Sequence, residues 1–260
     1  MAEGKALITG ASSGIGAAIA EQLAARSYDL ILVARRRERL EEQAAALAKR
    51  HGVDAKIVAL DLGARGGAQA LVDEVTSTHG EVDILVNNAG FGVYGYMAEA
   101  SIERTLEMVE LNMTAVTLLT HTFVKPMVKR GRGRILQIAS IGAYQPSPYY
   151  AVYSATKSYV LSFSEALHYE LRGTGVSVTT SCPGLTDTEF HSVANHKKPA
   201  WMKAVTMSAD QVAAISIRAM MKGKRTVIPG FVNWLSAVTA LRMPKFLVIP
   251  MAARTMKGGG

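Results

Sequence analysis

A tyrosine and a lysine stand four residues apart in Tyr153-Ser154-Ala155-Thr156-Lys157. On a helix that spacing puts both side chains on one face, within reach of a single site. A free phenol titrates near ~10, too high for ready proton exchange at neutral pH. A fixed cation beside it favours the phenolate and draws that value down. The pair is either a tuned general acid and base or ordinary helix surface, and so short a match taken alone favours the second reading. The residues around it decide.

Glycines punctuate Thr9-Gly10-Ala11-Ser12-Ser13-Gly14-Ile15-Gly16, between the first strand candidate and the first helical stretch. They permit a tight turn and let backbone amides approach a pyrophosphate, which a helix N-terminus favours electrostatically. The second strand candidate ends in Ala34-Arg35-Arg36-Arg37. A dinucleotide fold that prefers NAD carries an acid there for the ribose 2′-hydroxyl, whereas arginine suits a 2′-phosphate. Arg35 is expected to take that phosphate, helped by Arg36 and Ser12, with Arg37 and Arg39 as solvated helix surface. Asn87-Asn88-Ala89-Gly90 follows the fourth strand candidate, and Pro183-Gly184 the sixth, with Thr188 just beyond. Ser140 ends the fifth, 13 residues before Tyr153. Open α/β sheets bind ligands at such carboxyl ends of strands.

Seven short apolar runs are expected as strands: Ala6–Thr9, Leu30–Ala34, Lys56–Leu60, Ile84–Asn87, Arg134–Ala139, Ser177–Ser181 and Thr226–Ile228. Between them lie helical patterns over Ile15–Arg26, Arg37–Arg50, Gly67–Thr78, Ile102–Lys129, Tyr153–Arg172 and Ala209–Met221. Ile102–Lys129 is too long for one ordinary helix and is expected to divide near Leu111–Asn112. Repeated βαβ units with strands apolar on both faces predict an α/β fold, a doubly wound parallel seven-stranded sheet with helices on both faces. One domain over residues 1–230 is expected, followed by a basic C-terminal extension over 231–260.

Taken in order and spacing, these residues closely resemble the short-chain dehydrogenase/reductase family. The likeness rests on TGASSGIG at 9–16, Asp61 after the third strand, NNAG at 87–90, Asn112, Ser140, YSATK at 153–157 and PG at 183–184. It implies that Tyr153 is the general acid or base, that Lys157 lowers its pKa and holds the nicotinamide ribose, and that Ser140 hydrogen-bonds the substrate oxygen. Asn112 would anchor a water linking Lys157 to solvent. Gly10, Ser12, Ser13, Gly14, Ile15 and Gly16 would cradle the pyrophosphate, with Arg35 and Arg36 at the 2′-phosphate. Asp61 and Leu62 would meet the adenine, while Asn88, Ala89 and Gly90 line the adenosine ribose. Pro183, Gly184, Leu185 and Thr188 would receive the carboxamide end. The implied activity is an NADP(H)-dependent interconversion of ketone and secondary alcohol in a homodimer or homotetramer. A mobile substrate lid would span about 188–207.

The substrate pocket is expected to be walled by Phe91, Val93, Tyr94, Tyr96, Ile141 to Tyr144, Tyr149, Tyr150, Phe190, Trp201 and Met202. That lining is apolar and aromatic, without a converging acid or arginine clamp, and suits a small-molecule hydrophobic carbonyl or alcohol. The single cysteine, Cys182, rules out an internal disulfide framework and suits a reducing compartment such as the cytoplasm. The six histidines show no metal-ligand spacing, so no metal is expected. A non-catalytic NADP-binding sensor on the same fold would be marked by a lost tyrosine, lysine or serine, and none is lost. Nucleic-acid binding is disfavoured, because the basic run Lys125–Arg134 has no interleaved aromatic residues.

The net charge of +8 is unevenly spread. Residues 1–189 carry 18 Lys/Arg against 20 Asp/Glu, whereas 190–260 carry 11 against Asp210 alone. Asn233–Met243 sets Trp234, Leu235, Val238 and Leu241 at helical spacing near Arg242 and Lys245. Such a stripe either packs on the domain or a second subunit, the commoner outcome, or makes a peripheral membrane contact. The field could also steer anionic substrates.

Overall fold

The computed structural model describes residues 3–190, 194 and 206–257. Strands β1 (Gly4–Thr9), β2 (Tyr28–Ala34), β3 (Ala55–Ala59), β4 (Ile84–Asn87), β5 (Gly133–Ile138) and β6 (Val176–Ser181) alternate with helices. Two short strands, β7 (Thr186–Asp187) and β8 (Met207–Ser208), pair with each other, and β9 (Thr226–Val227) closes the main sheet. That sheet is parallel throughout, in the order β3-β2-β1-β4-β5-β6-β9. The strand order reverses between β1 and β4, the switch point at which doubly wound sheets open a crevice. Register sets the carboxyl ends level there, with Ile8 opposite Val86, Asn87 opposite Gln137 and Ile138 opposite Ser181.

Helices α1 (Gly14–Ala24), α2 (Arg37–His51), α3 (Gly67–Glu74), α4 (Ile102–Val109), α5 (Val116–Lys129), α6 (Ala151–Glu170) and α7 (Ala209–Met221) cover the two faces. Alternation within β1 shows how. Ala6 and Ile8 pack with Ile19 and Leu23 of α1, Leu40 of α2 and Ile217 of α7, whereas Leu7 packs with Leu71 of α3 and Phe123 of α5. Each fully buried Leu, Ile or Phe contributes about 1.5–3 kcal/mol, so both layers are stabilised by their own core.

Ile102–Lys129 divides where the sequence suggested, around Leu111–Asn112, though without a break in the chain's helical course. The chain widens into a π-helical turn over Glu110–Ala115 and continues from α4 into α5. No glycine, proline or cap stands there to stop it, and the extra residue turns Asn112 into the interior. A similar turn, Val75–His79, extends α3.

Two further helices end the chain, α8 (Phe231–Arg242) and α9 (Lys245–Lys257). Residues 231–257 lie against the first 230 and help to wall the same crevice. Each of the two helices buries little: Asn233 and Ala237 from α8, Val248 and Ala252 from α9.

Candidate active site

A cavity of about 870 Å³ opens at the carboxyl ends of β1, β4, β5 and β6. The glycine turn forms one end. Gly10 and Gly14 have φ of 66° and 55°, a region that favours glycine, and Gly14 opens α1 toward the cavity. Gly16 stands behind the wall, where a Cβ would come within 2.2 Å of the Gly10 carbonyl oxygen, so its role is to let α1 approach β1. Asn88 fastens this turn: its Nδ2 donates to the carbonyls of Thr9 (2.9 Å) and Gly10 (3.1 Å). Ser12, Ser13, Ile15, Asp61, Leu62, Ala89 and Gly90 face the same end. Exposed backbone amides at a helix N-terminus, with no side chain in the way, fit the pyrophosphate of a dinucleotide.

The adjacent arginines diverge. Arg36 Nη2 donates to Ser12 Oγ (3.2 Å) and Ser13 Oγ (3.0 Å), and its Nη1 pairs with Glu189 at 2.9 Å. Arg35 turns instead to carboxylates, Asp61 at 3.5 Å and Glu107 at 3.6 Å. Arg39, expected to be solvated helix surface, also reaches Glu189, at 2.7 Å. Hydrogen bonds from Arg39 and Arg36 hold the Glu189 carboxyl down at about 2.

Deeper in, Ser140 precedes a 3₁₀ turn (Ile141–Tyr144), and its Oγ accepts from the Gly142 amide at 3.1 Å. The Tyr153 hydroxyl hydrogen-bonds Ser140, and its ring lies between those of Tyr150 and Phe190, with centroids 5.7 and 5.2 Å away. Burial pushes the phenol up to about 12, only partly offset by the Ser140 bond. The lowering expected from Lys157 is absent from this geometry. Lys157 Nζ donates to the Ile138 carbonyl (2.9 Å) and lies 5.8 Å from the Tyr153 ring centroid. Burial draws the ammonium down to about 8.

Asn112 also stands behind the wall. Its Nδ2 donates to the Phe91 carbonyl (3.0 Å) and Thr156 Oγ1 (3.1 Å), and its Oδ1 accepts from the Phe91 amide at 3.3 Å. That clamp joins the β4 loop to α6 one residue from Lys157. A Cβ on Gly90 would sit 2.9 Å from Asn112 Oδ1 and 3.3 Å from Lys157 Nζ, so glycine is what lets the three meet.

The family-model comparison matches residues 4–199 as a short chain dehydrogenase. The chain belongs to that family. Short-chain dehydrogenases are oxidoreductases acting between CH–OH and C=O groups, and this chain is one of them. Sulfoacetaldehyde reductase 2 of Chromohalobacter salexigens is 36% identical over 186 residues, 71% of this chain and 73% of the relative. A short-chain dehydrogenase from Sphingobium yanoikuyae, solved with NADPH, superposes with a TM-score of 0.82 at 31% identity, covering 92% of this chain and 93% of that one. A bulky-bulky ketone specific alcohol dehydrogenase from Comamonas testosteroni superposes at 0.77 with 28% identity, over 91% of both chains.

The structure collects nearly all the expected site residues of this short-chain dehydrogenase into one cavity, including Pro183, Gly184, Leu185 and Thr188. The expected pocket wall needs correction. Phe91, Ile141, Gly142, Tyr150 and Phe190 line the cavity, whereas Val93, Tyr96 and Tyr149 line a smaller neighbouring hollow. Tyr144 turns away, its hydroxyl 3.7 Å from the buried Cys182 thiol. Trp201, Met202 and most of the expected lid lie outside the described residues. What sequence reasoning missed is the far wall: Val232 and Leu235 from α8, Met243 between the helices, and Val248, Met251 and Met256 from α9. Among the described residues no group of His, Cys, Asp and Glu could hold a metal.

Proposed function

We propose that this short-chain dehydrogenase is an NADP(H)-dependent reductase of hydrophobic ketones, working in reverse as a secondary-alcohol dehydrogenase. One observation carries the reading: a Tyr153–Ser140 hydrogen bond at the inner end of a cavity whose far wall carries Val232, Leu235, Met243, Val248, Met251 and Met256. The dinucleotide, when bound, supplies the hydride. Tyr153 supplies the proton. A phenol held at about 12 is protonated at neutral pH, which suits donation to a carbonyl oxygen. Ser140 Oγ hydrogen-bonds that oxygen and stabilises the charge developing on it.

Lys157 holds the nicotinamide ribose and is the nearest ammonium from which Tyr153 recovers its proton. Asn112 positions α6 through Thr156 and Phe91. Since its amide is committed there, any relay water would fall to its main-chain carbonyl. Asp61 and Leu62 take the adenine; Gly184, Leu185 and Thr188 take the carboxamide.

The preference for NADP(H) rests on Arg36 rather than on Arg35. Arg36 lies on the serines of the glycine turn, paired there with Glu189, whereas Arg35 turns away from them to Asp61 and Glu107. The bound NADPH of the Sphingobium relative and the bulky ketones of the Comamonas enzyme support both halves of the reading. Purified protein should oxidise NADPH faster than NADH with ketones graded by size, and large apolar ketones should be preferred. Turnover of none of them, or a preference for NADH, would refute it.

A further inference from the structure

Eight of the fourteen exposed large hydrophobic residues among the described residues fall within 231–251, on α8, α9 and nowhere else in the C-terminal half beyond Tyr169. Phe231 and Phe246 are each 74% exposed and Leu241 is 64% exposed. The Phe231 and Trp234 rings stack with centroids 5.8 Å apart, and both are exposed. A patch of this density on one helix pair marks a contact surface rather than scattered surface apolarity. We propose that the outer face of α8 and α9 docks on an anionic lipid bilayer.

Charge selects the partner. Arg242, Lys245, Arg254 and Lys257 are exposed on the same two helices, and no acid follows Asp210. A second copy of this chain is the other natural occupant. A two-fold contact through this face, however, would set the same four cations against themselves with no carboxylate to answer them. Anionic headgroups answer them directly, and interfacial helices combine such cations with tryptophan and phenylalanine. Neither helix, at 12 and 13 residues, is long enough to span a bilayer, so the contact is peripheral.

The same helices form the far wall of the cavity. Val232, Leu235 and Met251 are at once exposed and cavity-lining, so the docked face is one side of the wall that the substrate must pass. A ketone dissolved in the bilayer would then enter without crossing water. That last step rests on the proposed function; the docking does not.

Sedimentation of the full chain with phosphatidylcholine vesicles, with and without phosphatidylglycerol, tests the docking. Binding should require the anionic lipid, weaken with salt, and shift Trp fluorescence to the blue. Phe231→Asp with Phe246→Asp should cut the bound fraction by at least ~10-fold, because each phenylalanine loses much of its burial. Neither side chain lines the cavity, so NADPH oxidation with a small water-soluble ketone should be unchanged. Lys245→Gln with Arg254→Gln gives a second, charge-only arm and should remove the preference for anionic lipid. Absence of vesicle binding overturns the docking, as does binding by both double variants undiminished from that of the unaltered chain. So does light scattering that finds a dimer dispersed by the phenylalanine changes, with no lipid binding. Vesicle binding without any ketone turnover would uphold the docking and sink the proposed activity instead.

Discussion

Asn233 on α8 lies so close to Gly184 that a Cβ on the glycine would come within 2.1 Å of its Oδ1. Asn233 is itself fixed by a 2.7 Å hydrogen bond from Nδ2 to the Pro229 carbonyl. The first C-terminal helix is thus keyed to the turn after β6, at the cavity rim.

Gly184→Ala should therefore cost about 1–3 kcal/mol, the usual penalty for overpacking a tight contact. Urea denaturation would measure it. Combined with Asn233→Ala, the loss should be clearly less than the sum of the two single losses, because one clash is being relieved. Simple additivity would show that the contact does not matter.

Tyr153→Phe should lower the reduction rate at least ~10²-fold while leaving NADPH affinity within a few-fold of wild type. The ring and its packing against Tyr150 and Phe190 survive; only the proton is lost. Steady-state rates and cofactor fluorescence titration check the two halves. A variant keeping more than about a tenth of the rate would remove Tyr153 from the chemistry.

Arg36→Ala should weaken NADPH binding roughly 10- to 150-fold and NADH binding little, the value of one charge-assisted contact to phosphate. Arg35→Ala should have the smaller effect. Glu189→Gln should tighten NADPH, since it releases Arg36 from a competing anion already inside the protein. Titrations of each variant with both cofactors decide the order.

Burial holds Lys157 at about 8 against an ordinary 10.5. Between those values the unfolded chain binds more protons than the folded one, so this group makes stability rise with pH across that window. Its burial cost, of order 3 kcal/mol, is fully present below about pH 8 and is gone above about pH 10.5. Lys157→Met should consequently gain most over wild type at pH 7, with the advantage shrinking toward pH 10. Paired thermal melts without cofactor would reveal the trend, and a pH-independent difference would contradict it.

The seven strands of the main sheet were legible in sequence as short apolar runs, their ends differing from expectation by at most two residues, whereas the two-residue β7 and β8 were not. The site residues at those ends followed, since register makes strand ends level. Three further things were not legible. Arg35 and Arg36 are neighbours in a β-like exit, so their side chains point to opposite sides, and the sequence does not say which side meets the glycine turn. The division of Ile102–Lys129 near Leu111–Asn112 was legible from length, but its π-helical form over Glu110–Ala115, where Asn112 bonds Phe91, was not. In α8 the large apolar residues Trp234 and Leu241 are exposed while Asn233 and Ala237 are buried. That reversal of the usual pattern follows from the Gly184 contact, which only the folded chain brings about.

Because residues 231–257 build the far wall while the proposed reacting groups, Ser140 and Tyr153, come from earlier in the chain, part of the pocket's shape is written apart from the proposed chemistry. Substitutions in the last two helices can remodel what is accepted without touching how it is transformed. The join between the two stretches includes Gly184 against Asn233, the Tyr94 hydroxyl on the Met256 carbonyl, and the buried Ala237, Val248 and Ala252. An exchange of tails between relatives would have to preserve these contacts to yield a working catalyst with altered taste.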